Sequence, residues 1–277
     1  MNFALRFLGV GNAQAPELGS ACGVIECDGT PVLMIDCGAE ALSAYLEHYA
    51  MPPPAIYITH THMDHVAGLE RLFHTIYFDP RWRGAVRLYA HAAIVPLLQA
   101  RVADHPQVLA EGGANFWDAF HLIPVSRGFW CDGLWFDVFA TRHHAPGTSF
   151  GLVLEGSLVW TGDTRPVPEM LATHAAHGEI IAHDCALVGN PSHTGVDDLA
   201  REYPAQWRER FMLYHYASEA DARAMEARGY PVARQGDVVA LAPPRSPPCG
   251  RASLGKAPRL FGALPDYLAG CAEQRGP

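Results

Sequence analysis

The stretch Ala55-Ile56-Tyr57-Ile58-Thr59-His60-Thr61-His62-Met63-Asp64-His65 decides the fold. Four apolar, β-prone residues run into three histidines and one aspartate. With residues 55–58 as a strand, His60 and His62 lie two apart and point to the same side. A turn beyond them lets Asp64 and His65 aim at a neighbouring point. One metal ion can take the two histidines and a second the aspartate with the last histidine. Neutral imidazole combined with carboxylate suits zinc, and also iron or manganese. A histidine-rich surface loop or a tag would not follow a buried-type strand in mid-chain.

Composition narrows the classes around this motif. The chain has 277 residues, is 49% hydrophobic and carries a net charge of −9. That length fits one large α/β domain or two small ones. The acidic balance, with a pI near 5.9, argues against a high-affinity site for tRNA or DNA, which calls for a basic stripe. Seven cysteines, an odd number without a Cys-x-x-Cys pair, read as reduced thiols. No apolar run approaches the roughly 20 residues of a membrane helix. No signal peptide is visible, since the first residues already alternate as a strand. The expectation is a cytoplasmic protein with no membrane partner.

Other elements follow from periodicity and turn chemistry. Residues 3–10 read as a first strand, followed by the small-residue loop Gly9–Ala13. Its Gly-x-Gly lacks a third glycine and a following helix, so it reads as a tight turn near the site. Residues 21–27 and 31–36 flank Asp28-Gly29, a hairpin signal. Asp36 ends an apolar strand, where a carboxylate needs partners, and its expected task is to brace the histidine loop. Residues 41–50, 66–73, 92–102 and 221–228 read as helices, and residues 86–90, 121–125, 134–140, 179–182, 210–214 and 236–241 as strands. Residues 149–154 and 157–160 form another hairpin. Aromatics between 103 and 136, Phe116, Trp117, Phe120, Phe129, Trp130, Trp135 and Phe136, read as core. His74, His91 and His105 have no partners at ligand spacing. From Pro243 the composition turns to Pro, Gly, Arg and Ser. The domain is therefore placed at 1–242 and a mobile tail at 243–277, with a short docked helix over 260–268.

Further candidates share one location, the end of a strand. His143 and His144 precede a Pro-Gly turn; either can complete a metal's coordination, and His144 is the preferred one. Asp163, in Thr161-Gly162-Asp163-Thr164, is placed to bridge two ions. His215 ends the strand at 210–214. The carboxyl edge of strands is where α/β sheets assemble their sites.

Together these residues resemble the metallo-β-lactamase fold superfamily, over about residues 3–241, and within it the ribonuclease Z and phosphodiesterase branch. The likeness rests on Gly9–Ala13, Met34-Ile35-Asp36-Cys37-Gly38, the His60–His65 cluster, His144, Gly162-Asp163-Thr164, His183-Asp184, His193-Thr194 and the Tyr214–Ser218 element. It implies a four-layer αβ/βα sandwich with two zinc-like ions, manganese or iron being the other choices. One ion would take His60, His62 and His144, the other Asp64, His65 and His215, with Asp163 between them. Asp184 is shorter than the branch's glutamate. The long basic arm with which ribonuclease Z holds tRNA has no counterpart here.

The expected mechanism follows from paired cations, about 3.5–4 Å apart, which lower the pKa of a water and clamp an oxyanion. Asp64 would hold metal and orient the attacking water. His193 would contact a phosphate oxygen or protonate the leaving alkoxide, with Asp184 fixing its tautomer. This pair favours a small phosphodiester, a cyclic nucleotide or related compound, as substrate. The rival reading is an ester, thioester or lactone hydrolase, from His144-Ala145-Pro146-Gly147. A tRNA 3′-processing nuclease is disfavoured without the arm, and a non-hydrolytic diiron protein is a further alternative. Homodimerisation is an expectation by analogy with the fold.

Overall fold

A computed structural model describes residues 1–104, 108–110 and 112–245. The tail from 246 onward, the helix expected over 260–268 and His105 lie outside the described residues. Two sheets form the centre. The first contains β1 (Phe3–Gly9), β2 (Cys22–Cys27), β3 (Thr30–Ile35), β4 (Ala55–Ile58), β5 (Val86–His91), β8 (Phe120–Val125) and β15 (Val238–Leu241), in the order β15-β1-β2-β3-β4-β5-β8. The second contains β9 (Gly128–Cys131), β10 (Leu134–Ala140), β11 (Phe150–Leu154), β12 (Leu158–Trp160), β13 (Ile180–Asp184) and β14 (Phe211–Tyr214), in the order β14-β13-β12-β11-β10-β9. A small ribbon, β6 (Val108–Leu109) with β7 (Gly112–Gly113), stands apart.

Each sheet is antiparallel on one side and parallel on the other. In the first, β3, β4, β5 and β8 run parallel; in the second, β12, β13 and β14 do. Strand β10 has the same sense as β12, because each pairs antiparallel with β11. The carboxyl ends of β3, β4, β10, β12, β13 and β14 therefore supply one edge of the sandwich.

Apolar faces fill the layers. Phe7, Ile25, Leu33 and Tyr57 of the first sheet meet Phe129, Phe136, Leu152 and Trp160 of the second. Tyr57 stacks on Phe129 with ring centroids 5.6 Å apart, and Trp160 on Tyr214 at 4.3 Å. On the outside of the first sheet, α1 (Ala39–Tyr49) and α3 (Gly68–Tyr77) turn Leu42, Tyr45, Leu69, Leu72 and Phe73 onto Val24, Met34, Ile56 and Leu88. On the outside of the second lie α5 (Pro168–His174), α6 (Val196–Glu202) and α7 (Glu219–Ala227), with Leu171, Leu199 and Met225 buried. This is the four-layer αβ/βα arrangement. Of the aromatic segment read as core, Phe116, Phe120, Phe129 and Phe136 are buried, while Trp117, Trp130 and Trp135 are half-buried.

Several elements differ from expectation. The helix read over 66–73 is α3, which starts at Gly68, and a separate short helix, α2 (Met63–Val66), precedes it inside the histidine cluster itself. Residues 92–102 are not one helix: a 3-10 turn at Ala92–Ile94 leads into α4 (Val95–Leu98) and then a π-helical turn at Gln99–Ala103, with Pro96 in the first turn of α4. Strand β9 and helix α5 escape the sequence reading, β9 because four residues carry little periodicity and α5 because Pro166 and Pro168 look like loop. Pro168 instead sits in the first turn of the helix, where its missing N–H costs nothing. Beyond β15 the chain stays attached at Arg245, whose N–H donates to the Glu155 carbonyl at 2.8 Å.

One glycine ties the fold to the site. A Cβ on Gly38, the residue before α1, would stand 2.1 Å from the Asp64 carbonyl oxygen and 2.3 Å from Ser20 Cβ. Gly38→Ala is therefore expected to cost about 1–3 kcal/mol and to push the Asp64 turn outward. Urea unfolding together with metal content of the purified protein would show both effects.

Candidate metal centre

Strand β4 ends at Ile58, so His60 and His62 lie on the extended segment beyond it, and the alternation of a strand does not set their directions. They converge nonetheless. His60 Nε2 lies 3.0 Å from His62 Nδ1, and His143 Nε2 lies 3.1 Å from the same atom. Asp163 Oδ2 completes the group at 3.6 Å from His60 Nε2 and 3.7 Å from His143 Nε2. Ligands about 2.0–2.1 Å from a zinc ion stand about 3.3 Å from one another, close to these separations.

A second group adjoins the first. His65 Nε2 and His215 Nε2 each lie 3.4 Å from Asp64 Oδ2. Asp163 reaches both, with Oδ1 3.4 Å from His65 and Oδ2 3.3 Å from His215. Asp163 thus stands between the two groups, at the end of β12. His65 Nε2 and Asp163 Oδ1 are buried without a hydrogen-bond partner among the described residues. Buried polar atoms are rarely left so, and atoms of this kind facing one another fit a cation between them.

His143, not the preferred His144, belongs to the first group. Its ring is buried and its Nδ1 lies 3.0 Å from the Ser192 carbonyl, which leaves Nε2 free to face the donors. His144 takes a left-handed backbone, φ 51°, as the chain turns into Pro146-Gly147, and its ring packs edge-on against His62 on the exposed side. Two adjacent histidines look alike in sequence; the turn separates them.

The supporting bonds explain why the donors hold their places. Asp36, buried at the end of β3, accepts from Thr59 N at 2.8 Å and Thr59 Oγ1 at 2.7 Å. His65 Nδ1 lies 2.8 Å from the same carboxylate, and Thr59 Oγ1 is 3.0 Å from His60 Nδ1. One carboxylate therefore orients a histidine in each group. Asp184 plays the same part on the other sheet: its Oδ2 accepts from Thr164 N at 2.8 Å and lies 2.8 Å from His193 Nδ1, while Oδ1 is 3.3 Å from His215 Nδ1. The shorter side chain still reaches His193. His193 also comes within ligand range of Asp163 and His215.

The electrostatics divide along the same line. Burial, with help from neighbouring imidazoles, holds His60 well below its usual pKa and brings His62 to about 4. Burial lowers His143 as well, so this group offers neutral imidazoles with free lone pairs. In the second group burial is overridden: Asp163, Asp184 and Asp64 lift His215 to about 10, and Asp163 with Asp36 lifts His65. That half carries surplus negative charge, which a divalent cation would neutralise in place of protons. His193 is raised against burial, chiefly by Asp184.

Two cavities open on the donors. One of about 680 Å³ is lined by Asp64, Asp163, His193 and His215, with Asn12, Gln14 and Glu40 around it. The other, about 400 Å³, lies against His60, His62 and His143 with Arg101 and His144. The Gly9–Ala13 loop does border the site: Gly11 N bonds to the Gly19 carbonyl at 2.9 Å, and Asn12 N to the Tyr216 carbonyl at 3.2 Å.

Fold and donor set define a metal-dependent hydrolase of the metallo-β-lactamase class, with a site suited to divalent metal. A solved structure described as a new diphosphatase from the PhnP family superposes with a TM-score of 0.67 at 17% identity, over 87% of this chain and all of that one. Residues 3–239 match the family described as Anti-Pycsar protein Apyc1, and the chain belongs to that family. It is 31% identical over 225 residues to the Anti-Pycsar protein Apyc1 of Saccharibacillus brassicae, covering 78% of this chain and 91% of the relative. With that of Paenibacillus xerothermodurans the identity is 27% over 231 residues, 80% of this chain and 90% of the other.

The bracing bonds give a direct test. Asp36→Ala is expected to weaken metal binding about 10–100-fold, and His143→Ala to cost more than His144→Ala. Titration of the stripped variants with zinc against a chelating dye would measure both; equal losses in the two histidine variants would reverse the assignment.

Proposed function

We propose that the protein is a phosphodiesterase acting on a small, singly charged phosphodiester, with a cyclic nucleotide as the favoured substrate. The observation that supports it most is the His193–Asp184 pair. His193 lines the larger cavity beside His215, with its other nitrogen fixed on a buried carboxylate. A histidine so held keeps its proton and presents one N–H to the cavity, as a leaving alkoxide or a phosphoryl oxygen requires.

The donors fit two divalent ions, zinc being the simplest choice, held by His60, His62 and His143 on one side and Asp64, His65 and His215 on the other, with Asp163 shared. When bound, such ions lower the pKa of water and neutralise charge on phosphoryl oxygens. The chain's own residues do the rest. Asp64 orients the nucleophile through its second oxygen. Asp36 and Asp184 keep the imidazoles in the tautomers that face the site. His193 delivers the proton. A cavity of about 680 Å³ suits a molecule of nucleotide size, and among the described residues the connections around it include no long arm for a polynucleotide. Among the described residues no helix is long and apolar enough to cross a membrane.

The acyl-hydrolase reading rests on the His144-Ala145-Pro146-Gly147 element, and His144 lies outside the donor groups. Protein reloaded with zinc or manganese is expected to cleave bis(p-nitrophenyl) phosphate and a cyclic nucleotide. His193→Ala should lower kcat about 10²–10⁴-fold while retaining its metal. Cleavage of p-nitrophenyl acetate or a thioester in place of any diester would overturn the proposal.

A further inference from the structure

The larger cavity has a wall that the hydrolytic chemistry does not use. Met63, Ala39 and Ala67 give it an apolar patch, and Met63 is 48% exposed. The start of α1 and the junction of α2 with α3 are tied together here, since Gly68 N donates to the Cys37 carbonyl at 2.8 Å. Beside the patch stands Glu40, in the first turn of α1. Its carboxylate accepts a hydrogen bond from the buried hydroxyl of Ser20, which lines the same cavity. Among the described residues no lysine or arginine pairs with Glu40, and none lines this cavity.

A first-turn acid complements the helix dipole. That role needs neither the Ser20 tether nor a cavity in front of the carboxylate. An ionised carboxylate only accepts hydrogen bonds, and one oxygen of Glu40 has a protein donor. What fits its remaining lone pairs is an N–H or O–H donor, and those that the organic part of a nucleotide carries, amino groups and hydroxyls, are neutral. A second phosphate placed there would meet a like charge with no cation to offset it.

We propose that Glu40, held by Ser20, determines specificity in this cavity. It accepts a hydrogen bond from the nucleoside part of the diester, from a base amino group or the free sugar hydroxyl, while the base lies against Met63. This rests on the phosphodiesterase reading and adds the substrate class: one negative charge, with a neutral donor on the organic part.

The test uses the metal-loaded full chain. Adenosine 3′,5′-cyclic monophosphate, its 2′-deoxy form, its purine analogue lacking the amino group, and bis(p-nitrophenyl) phosphate, which has no donor, are compared. Glu40→Ala is expected to raise KM for the cyclic nucleotide about 10–100-fold, the worth of a hydrogen bond to a charged group. Its kcat, its metal content and its turnover of the aryl diester should stay unchanged. Glu40→Gln, which keeps an acceptor oxygen, should recover part of the loss. In the wild type, a matching rise with the 2′-deoxy form assigns the sugar hydroxyl, and one with the purine analogue assigns the base. A Glu40→Ala effect below twofold, or one equal on both diesters, overturns the proposal. Aryl diester cleavage without any cyclic nucleotide cleavage overturns it while leaving the phosphodiesterase reading intact. Cleavage of neither sinks both.

Discussion

The site depends on a buried carboxylate that lines neither cavity. Asp36 sits in the core at the end of β3 and receives the backbone and hydroxyl of Thr59 and the Nδ1 of His65. A carboxylate in such surroundings is costly unless its lone pairs are filled, and here they are filled by the segment that carries the metal donors. Satisfying Asp36 and aiming His60 and His65 are thus one requirement. The backbone of Asp36 is itself left-handed, φ 63°, a conformation an aspartate accepts at small cost. The same bond network that stabilises the turn after β3 sets the tautomers in both donor groups.

Asp184 repeats the device from the second sheet, bridging His215 and His193. The two sheets meet at the site through these carboxylates, each standing behind imidazoles, with Asp163 between the donor groups. The result is a graded charge distribution. Neutral imidazoles on one side face an excess of carboxylate on the other, so two ions in adjoining positions would meet different fields. The cavity beyond them continues the pattern with His193, whose pKa is raised, and with Glu40.

Much of this is legible in the sequence because the chemistry is local. The His60–His65 cluster falls within six residues, Asp163 follows a glycine at a strand end, and His215 ends another strand. Apolar alternation locates most strands of both sheets. The bracing role of Asp36 follows from a carboxylate ending an apolar run. What the sequence conceals has physical causes. His143 and His144 differ only in where a left-handed turn places them, and that turn is set by packing against His62 and by Ser192, far along the chain. Helix α5 begins on prolines that look like a breaker, and β9 is too short to show a period. The Ser20–Glu40 pair joins a loop to a helix start, and neither residue type signals a site by itself. The Asp184–His215 contact is likewise between residues whose separation gives no pattern.

The way the donors are distributed along the chain has a consequence for how the protein matures. Only His60, His62, Asp64 and His65 are neighbours in sequence; Asp163, His143 and His215 come from strand ends that approach only when both sheets are complete. An unfolded chain can offer an ion the local cluster alone, a flexible and weaker ligand set. The native chain offers all seven donors, preoriented by Asp36 and Asp184. Whatever affinity separates those two sets appears as stability of the folded form by mass action. A cation held by these donors would act as a clasp between the two halves of the sandwich.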